Sequence, residues 1–171
     1  MKSAASLAVG MLLRRGETVA VAEVSAGGLI SASLAGERGG VYVGGFVVPD
    51  VHRAQALTGP TATAPEATAQ HALELARAVR SKLGSTWAVG ESGVAGPTPN
   101  RRGVQPGVCA LAVVGPEAYK RTTMLWPDTE LSAADAYGQP PAVVRDARMA
   151  EFSEGALELL RAALEEHETA Q

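Results

Sequence analysis

The stretch from Ala88 to Val114 constrains the fold of this chain more than any other. An apolar run stops at Glu91-Ser92 and breaks into glycines, a polar segment follows from Thr98 to Pro106, and a second apolar run returns from Val108 to Val114. An apolar run that ends in polar residues and glycine is typical of a buried strand that leads into a loop. The stretch therefore predicts two strands joined by a loop that carries a site.

The rest of the chain alternates between helical and strand-like patterns. Strands are predicted at Thr18–Ala22, Val41–Val48 with a bulge at Gly44-Gly45, Trp87–Glu91, Val108–Val114 and, at an edge, Tyr119–Trp126. Helices are predicted at Ser3–Arg15, Leu29–Leu34 and Val51–Leu57, from Thr63–Glu66 to Gly84, and from Pro141 into a polar tail, with a loop over Pro127–Pro141. Near-continuous apolar strands need cover on both faces. We therefore expect a three-layer α/β/α fold with a central, mostly parallel or mixed sheet, in one domain over residues 1–171.

The fourth predicted helix has the clearest amphipathic pattern. Its apolar residues recur at steps of three or four and predict a buried face of Ala69, Leu73, Ala76, Val79 and Leu83.

Charge and hydropathy exclude several classes of protein. The net charge of -3 and the pI near 5.6 argue against a nucleic-acid-binding protein, which would concentrate Lys and Arg on one face. Near the N-terminus, Arg14-Arg15 interrupts the apolar segment well short of the roughly 20 residues that a membrane span needs. We expect no membrane partner and a first helix rather than a signal peptide.

The metal-binding and redox-active residue types are few. Cys109 is the only cysteine, so it predicts a buried thiol and favours a cytoplasmic protein. His52, His71 and His167 lack the spacing of metal ligands, and surface or structural roles are predicted for them. We expect neither a metal nor a cofactor.

Two acidic residues stand at strand ends and are followed by glycine. In α/β sheets of this kind the ligand binds beyond the carboxyl ends of the strands. We therefore expect Glu23–Gly28 and Glu91–Gly96 to lie near each other. The helix from Leu29 follows the first glycine turn, and its first backbone amides are predicted to be free to bind an anion.

Four sequence blocks resemble a known family. Ala22-Glu23-Val-Ser-Ala-Gly27-Gly28 is similar to the Ala-Glu-Ser-x-Thr-Gly-Gly signature of the CinA C-terminal domain, the family of nicotinamide mononucleotide deamidases. Ser92-Gly-Val-Ala-Gly-Pro97 resembles its Ser/Thr-Gly-Ile-Ala-Gly-Pro, and Pro106-Gly-Val108 its Pro-Val-Gly. Val144-Arg145 with Ala156-Leu-Glu-Leu-Leu160 resembles its last helix. The chain is identified as a member of this family, in a form that we expect to stand alone without the family's larger second domain.

The resemblance implies hydrolysis of the carboxamide of nicotinamide mononucleotide by a serine with tyrosine and lysine helpers, without a metal. This chain departs from that pattern. The family's Gly-Ser-Ser falls on Glu37–Gly40, which has no serine, and its Thr-Tyr-Ser-Asn-Glu-Ala-Lys falls on Val47–Arg53. The tyrosine is lost and the lysine has become Arg53, which stays protonated and cannot act as a base. We expect weak or no amidase activity. The alternative is a catalytically silent relative that binds a nucleotide-like ligand or assembles with itself.

Candidate site residues follow from the same blocks, and the catalytic group itself stays unknown. Ser92, Ser25 and Glu23 are the catalytic candidates; Ser92 could instead bind ligand or backbone or cap a structural element, Ser25 could be a helix N-cap, and Glu23 could be a satisfied carboxylate. The predicted ligand-binding residues are Gly27, Gly28, Ser92, Gly93, Gly96, Arg53, Arg101, Arg102 and Arg145. Arg101 and Arg102 could hold a phosphate or form a solvated pair, and Arg145 could bind phosphate or form a salt bridge. The expected partners are a nucleotide-like small molecule and further copies of the chain.

Overall fold

The computed structural model describes residues 2–127, 138 and 140–170, and all elements below lie within them. The strands are β1 (Val19–Glu23), β2 (Tyr42–Val47), β3 (Trp87–Gly93), β4 (Cys109–Val114) and β5 (Lys120–Leu125). The helices are α1 (Ala4–Arg15), α2 (Leu29–Gly36), α3 (Val51–Thr58), α4 (Ala69–Leu83) and α5 (Pro141–Thr169). Most of the predicted loop over Pro127–Pro141, residues 128–137 and 139, lies outside the described residues.

The five strands form one mixed sheet in the order β2-β1-β3-β4-β5. Strand β1 runs parallel to both β2 and β3, whereas β4 runs antiparallel to β3 and β5. The predicted pair of strands on either side of the site loop is therefore the antiparallel pair β3–β4, and β5 is the predicted edge strand.

Helices cover both faces of this sheet, which confirms the predicted three layers. On one face, β1, β3 and β4 contribute Val19, Val21, Trp87, Val89, Leu111 and Val113 to a core shared with α1, α2 and α5. On the other face, the same strands contribute Ala20, Ala22, Ala88, Ala110 and Ala112 to a core shared with α3 and α4. Because alanine predominates on this second face, α4 can lie close to the sheet.

Helix α4 begins later than predicted and buries a different face. The predicted start at Thr63–Glu66 is wrong, because Ala67 adopts a left-handed backbone conformation with φ 58 and the Thr68 side chain caps the helix at the amide of His71. The predicted face is also wrong in part, since Leu73 is half-buried and Leu83 is exposed. The residues that α4 buries are His71, Ala72, Leu75, Ala76 and Val79.

The predicted bulge in β2 lies one residue earlier than expected. Val19 pairs with Tyr42 and Ala20 pairs with Gly44, so the register skips Val43 rather than a residue of the Gly44-Gly45 pair. No helix in the described part of the chain combines the length and the apolar character needed to cross a bilayer.

Candidate functional site

The carboxyl ends of β1 and β3 lie side by side, as predicted. Glu23 and Glu91 are direct register partners in the parallel β1–β3 pair, and both side chains are fully buried. The turn that follows β1 therefore passes next to the turn that follows β3. Two buried carboxylates at one sheet edge need hydrogen-bond donors, and the two turns supply them.

The Glu91 carboxylate accepts hydrogen bonds from the turn after β1. Its Oε2 accepts the amides of Val24 (3.0 Å), Ser25 (2.9 Å) and Ala26 (2.8 Å), and its Oε1 accepts the Ser25 hydroxyl and, at 3.4 Å, the thiol of Cys109. Burial raises the pKa of Glu91, and the donors from the turn oppose that shift. Burial also raises the pKa of the Cys109 thiol, and the neighbouring Glu91 adds to this effect. Cys109 is thus the buried thiol that the sequence predicts.

The Glu23 carboxylate caps the start of α2. Its Oε2 accepts the amides of Gly28 (2.8 Å) and Ile30 (3.3 Å), and its Oε1 accepts the amide (2.8 Å) and the hydroxyl (2.6 Å) of Ser31. The prediction that these first amides are free to bind an anion is therefore wrong. The chain's own carboxylate occupies the position that an anion would take at this helix N-terminus.

A cavity of about 760 Å³ lies farther along the same edge of the sheet. It is bounded by the segment after β2, by the α3–α4 connection and by the loop after β3, and His71 of α4 contributes to its wall. Its volume falls in the range of roughly 300–1,000 Å³ found for small-molecule sites. The polar residues that line it are Asp50, His52, Gln55, Thr58, Thr63, Glu66, His71, Asn100, Arg101 and Arg102.

His71 and Ser92 form a buried hydrogen-bonded pair at this cavity. The Nδ1 atom of His71 lies 2.7 Å from the hydroxyl oxygen of Ser92, which also accepts the amide of Ala67 at 2.9 Å. Ser92 is fully buried on β3, and His71 is 4% exposed. Ser92 therefore lies behind His71, and the imidazole is the member of the pair that lines the cavity.

The structure brings only part of the predicted ligand-binding set to the cavity. Arg101 and Arg102 line it. Within the described residues, Arg102 donates to the carbonyl of Glu66 at 3.2 Å, whereas Arg101 forms neither a hydrogen bond nor an ion pair. Arg145 donates to the carbonyl oxygen of Gly96 instead of projecting into the cavity lining. Arg53 is exposed and lies 3.8 Å from Asp50.

The predicted glycines pack against the protein itself. A Cβ atom at Gly27 would meet the terminal methyl of Met149 on α5, and one at Gly93 would lie 2.7 Å from the Ser25 hydroxyl. A Cβ atom at Gly96, where φ is 89, would lie 2.8 Å from the guanidinium of Arg148. Glycine at these positions allows α5 and the two turns to approach one another.

The sequence predicts that His71 lies on a helix and has a surface or structural role. The structure places it on the buried side of α4, four residues before Leu75 and next to Ala72. That helical spacing was the available signal, because a residue one turn before a buried leucine shares its face. Among the described residues, no three His, Cys, Asp or Glu side chains are grouped as a metal site would require.

The burial of His71 predicts a dependence of stability on pH. Desolvation lowers the pKa of His71 below its ordinary value of 6.5, and the nearby charge of Glu74 opposes this only in part. As pH falls, His71 therefore binds a proton in the unfolded chain near pH 6.5, whereas in the folded protein it does so only at lower pH. Protonation thus favours the unfolded chain, and the free energy of unfolding decreases as pH falls below 6.5. Urea unfolding at about pH 7.5 and about pH 5 should show a larger loss for the wild type than for His71→Asn. Equal losses in the two proteins would contradict the prediction.

The fold and the cavity define a general class of protein. An open α/β sheet with a small-molecule cavity beyond the carboxyl ends of its parallel strands is the arrangement of many nucleotide- and metabolite-binding proteins. The chain belongs to the CinA C-terminal domain family, because the model of that family matches residues 1–132.

Relatives in sequence are named CinA-like proteins. A CinA-like protein of Prochlorococcus marinus (strain MIT 9313) is 34% identical over 124 residues, which cover 67% of this chain and 28% of that protein. A CinA-like protein of Frankia casuarinae is 33% identical over 115 residues, which cover 64% of this chain and 26% of the relative. The chain thus matches less than a third of the length of these relatives.

Solved structures confirm the fold. A competence-damaged protein (CinA) superfamily protein from Klebsiella pneumoniae superimposes with a TM-score of 0.79 at 18% identity, over 95% of this chain and 96% of that one. A competence/damage inducible protein from Agrobacterium tumefaciens gives a TM-score of 0.74 at 24% identity, again over 95% and 96%. At these identities the likeness concerns the architecture alone.

Proposed function

We propose that this protein binds a pyridine mononucleotide of the nicotinamide mononucleotide type in the cavity and hydrolyses its carboxamide at no more than a trace rate. The chemistry of the cavity lining carries the proposal. Arg101 and Arg102 supply positive charge for a phosphate, while none of the described lining residues is a serine, cysteine, tyrosine or lysine. Among the described residues, neither of the two lining threonines, Thr58 and Thr63, is hydrogen-bonded to a side chain that could act as its base. The lining therefore favours binding over nucleophilic attack on an amide.

The hydrogen bonds that the candidate catalytic residues make within the protein also favour binding over catalysis. The Ser25 hydroxyl donates to the Glu91 carboxylate and neither side chain lines the cavity, while Ser92 is fully buried behind His71. The Glu23 carboxylate accepts four hydrogen bonds, which is about the number of lone-pair positions that a carboxylate offers. These groups hold the two turns together, and family membership alone does not transfer an activity whose reactive groups have changed.

Ammonia release from nicotinamide mononucleotide tests the catalytic half of the proposal. We expect the purified protein to release ammonia at no more than a trace rate, because the lining lacks an activated nucleophile. An enzyme-coupled ammonia assay should be run beside a family member that has the serine, tyrosine and lysine. Turnover comparable to that of the intact family member would refute this half of the proposal.

Thermal unfolding with the nucleotide tests the binding half. A ligand that binds only the folded state raises Tm, by about 2 to 4 °C for each kcal/mol of stabilisation in a protein of this size. We expect millimolar nicotinamide mononucleotide to raise Tm of the wild type and to raise that of Arg101→Ala by less. Arg38→Ala is the matched control, since it removes the same charge from an exposed residue that precedes β2, whereas the cavity is lined by the segment after β2. A wild type without any Tm shift would favour self-assembly as the role of this chain.

A further inference from the structure

We propose that His71 is a specificity-determining residue, which donates a hydrogen bond from its Nε2–H to a carboxamide or carboxylate oxygen of the bound ligand, and that Ser92 is the residue that positions it. This inference rests on the proposed binding function. The Nε2–H of His71 is then the group that distinguishes a ligand with a carboxamide or carboxylate on its ring from other phosphate-bearing molecules of similar size.

The hydrogen bonds of Ser92 determine which nitrogen of His71 carries the proton. The Ser92 hydroxyl oxygen accepts the Ala67 amide, and its single proton needs an acceptor. Within the described residues, Nδ1 of His71 is the only further partner of that hydroxyl. The Ser92 hydroxyl and Nδ1 of His71 are both satisfied when Ser92 donates to Nδ1, which leaves the imidazole proton on Nε2.

The Nε2 atom of His71 reaches the cavity. Among the described residues Nε2 has no hydrogen-bond partner. In that part of the chain, the only side-chain nitrogen or oxygen that is both without a hydrogen-bond partner and completely shielded from solvent is Nη1 of Arg15, so Nε2 is not completely shielded. Nε2 is therefore accessible, and His71 lines the cavity. An unpaired donor on a rigid, buried ring presents a fixed hydrogen-bonding direction to whatever occupies that space.

The surroundings of His71 suit recognition of a neutral or partly charged oxygen. Burial keeps the ring uncharged near neutral pH, so it donates one hydrogen bond without introducing a second positive charge. Arg101 and Arg102 line the same cavity and supply the positive charge that a phosphate requires. A buried donor of this type rejects analogues that lack the acceptor, because the donor would then be left unpaired.

Two substitutions at one position separate the two ring nitrogens. The amide of His71→Asn places a polar atom near the position of Nδ1 and lacks a counterpart of Nε2, whereas the longer His71→Gln brings its amide toward the position of Nε2. For nicotinamide mononucleotide measured by calorimetry, we expect His71→Asn to raise Kd about tenfold and His71→Gln to raise it less. For ribose 5-phosphate, which has no carboxamide, we expect Kd to be the same in the wild type and His71→Asn. Circular dichroism and Tm show whether each variant is folded.

The tautomer of His71 can be read directly. In protein labelled with ¹⁵N-histidine, long-range proton–nitrogen spectra separate the two neutral tautomers, and His71→Asn identifies the His71 signals. We expect the Nε2–H tautomer in the wild type, a shift of the Nε2 signal on addition of nicotinamide mononucleotide, and a mixture of tautomers in Ser92→Ala.

The outcomes separate this inference from the proposed function. A wild type in the Nδ1–H tautomer overturns the inference whatever the ligand does. Nucleotide binding that is unchanged in His71→Asn, or weakened equally for ribose 5-phosphate, overturns the inference and leaves the binding function standing. A wild type that binds no nicotinamide mononucleotide overturns both.

Discussion

Replacing Glu91 with alanine should destabilise the protein by about 3 to 5 kcal/mol, because it leaves buried hydrogen-bond donors without a partner. The amides of Val24, Ser25 and Ala26 all donate to one oxygen of this fully buried carboxylate. Since domains of this kind are stable by only about 5–15 kcal/mol, a loss of that size should be evident in urea unfolding as a much lower midpoint with a similar slope.

Two further variants show whether the hydrogen bonds are the cause. In Glu91→Gln the amide oxygen can still accept the three amides, and the amide nitrogen can donate to the Ser25 hydroxyl, so we expect a clearly smaller loss than in Glu91→Ala. Glu154→Ala removes an exposed glutamate from α5 and should change stability by less than about 0.5 kcal/mol. If Glu91→Ala unfolds at the same urea concentration as Glu154→Ala, the role assigned to Glu91 is wrong.

Gly90→Ala should be about as damaging, by overpacking rather than by loss of a bond. A Cβ atom at Gly90 would lie 2.8 Å from the backbone nitrogen of Ala76 and closer still to the carbonyl oxygen of Ala72. Backbone atoms of a helix cannot move aside as the end of a flexible side chain can, so α4 as a whole must shift away from β3. We expect a loss of about 3 kcal/mol, at the upper end of the usual cost of overpacking, measured by urea unfolding.

The same substitution should affect the candidate site. His71 immediately precedes Ala72 on α4, and its hydrogen-bond partner Ser92 lies two residues after Gly90 on β3. A shift of α4 relative to β3 therefore lengthens the His71–Ser92 hydrogen bond. Gly36→Ala is the control, because a Cβ atom there meets nothing within 4 Å and no unusual backbone angle is required. A Gly90→Ala protein as stable as Gly36→Ala would show that α4 does not pack on β3 in this way.

Much of the architecture could be predicted because it depends on local patterns. The apolar runs that became β1, β3 and β4 are buried along their whole length, as continuous apolar strands between two helical layers must be. Gly16 ends α1 in a left-handed conformation with φ 64, and Ser3 caps its start by accepting the amide of Ser6. The predicted start of α4 is wrong because no sequence pattern indicates the left-handed conformation of Ala67. A proline such as Pro65, by contrast, is common at the first position of a helix.

The candidate site was harder to predict because several of its polar side chains form hydrogen bonds with other parts of the protein rather than with a ligand. Glu23 and Glu91 were recognised as acidic strand ends, and their proximity was predicted from the topology. The sequence does not decide whether Glu23 binds a ligand or is a satisfied carboxylate, since a carboxylate beside a glycine turn is compatible with both. Of the predicted ligand-binding residues, Arg101 and Arg102 line the cavity, while Arg145 is engaged with the carbonyl of Gly96.

By itself the sequence determined the three layers, the strands, and the proximity of Glu23–Gly28 to Glu91–Gly96. Apolar periodicity and glycine positions are local signals, because they set the secondary structure of the segment in which they occur. Only the tertiary structure decided where hydrogen-bonding capacity remains unused. The donors to Glu91 in the turn after β1 lie 65 to 67 residues away in the chain, and the partner of His71 lies 21 residues away. Such pairings depend on which strands become neighbours and how closely α4 packs. They leave the carboxylates satisfied and the imidazole of His71 at the cavity wall.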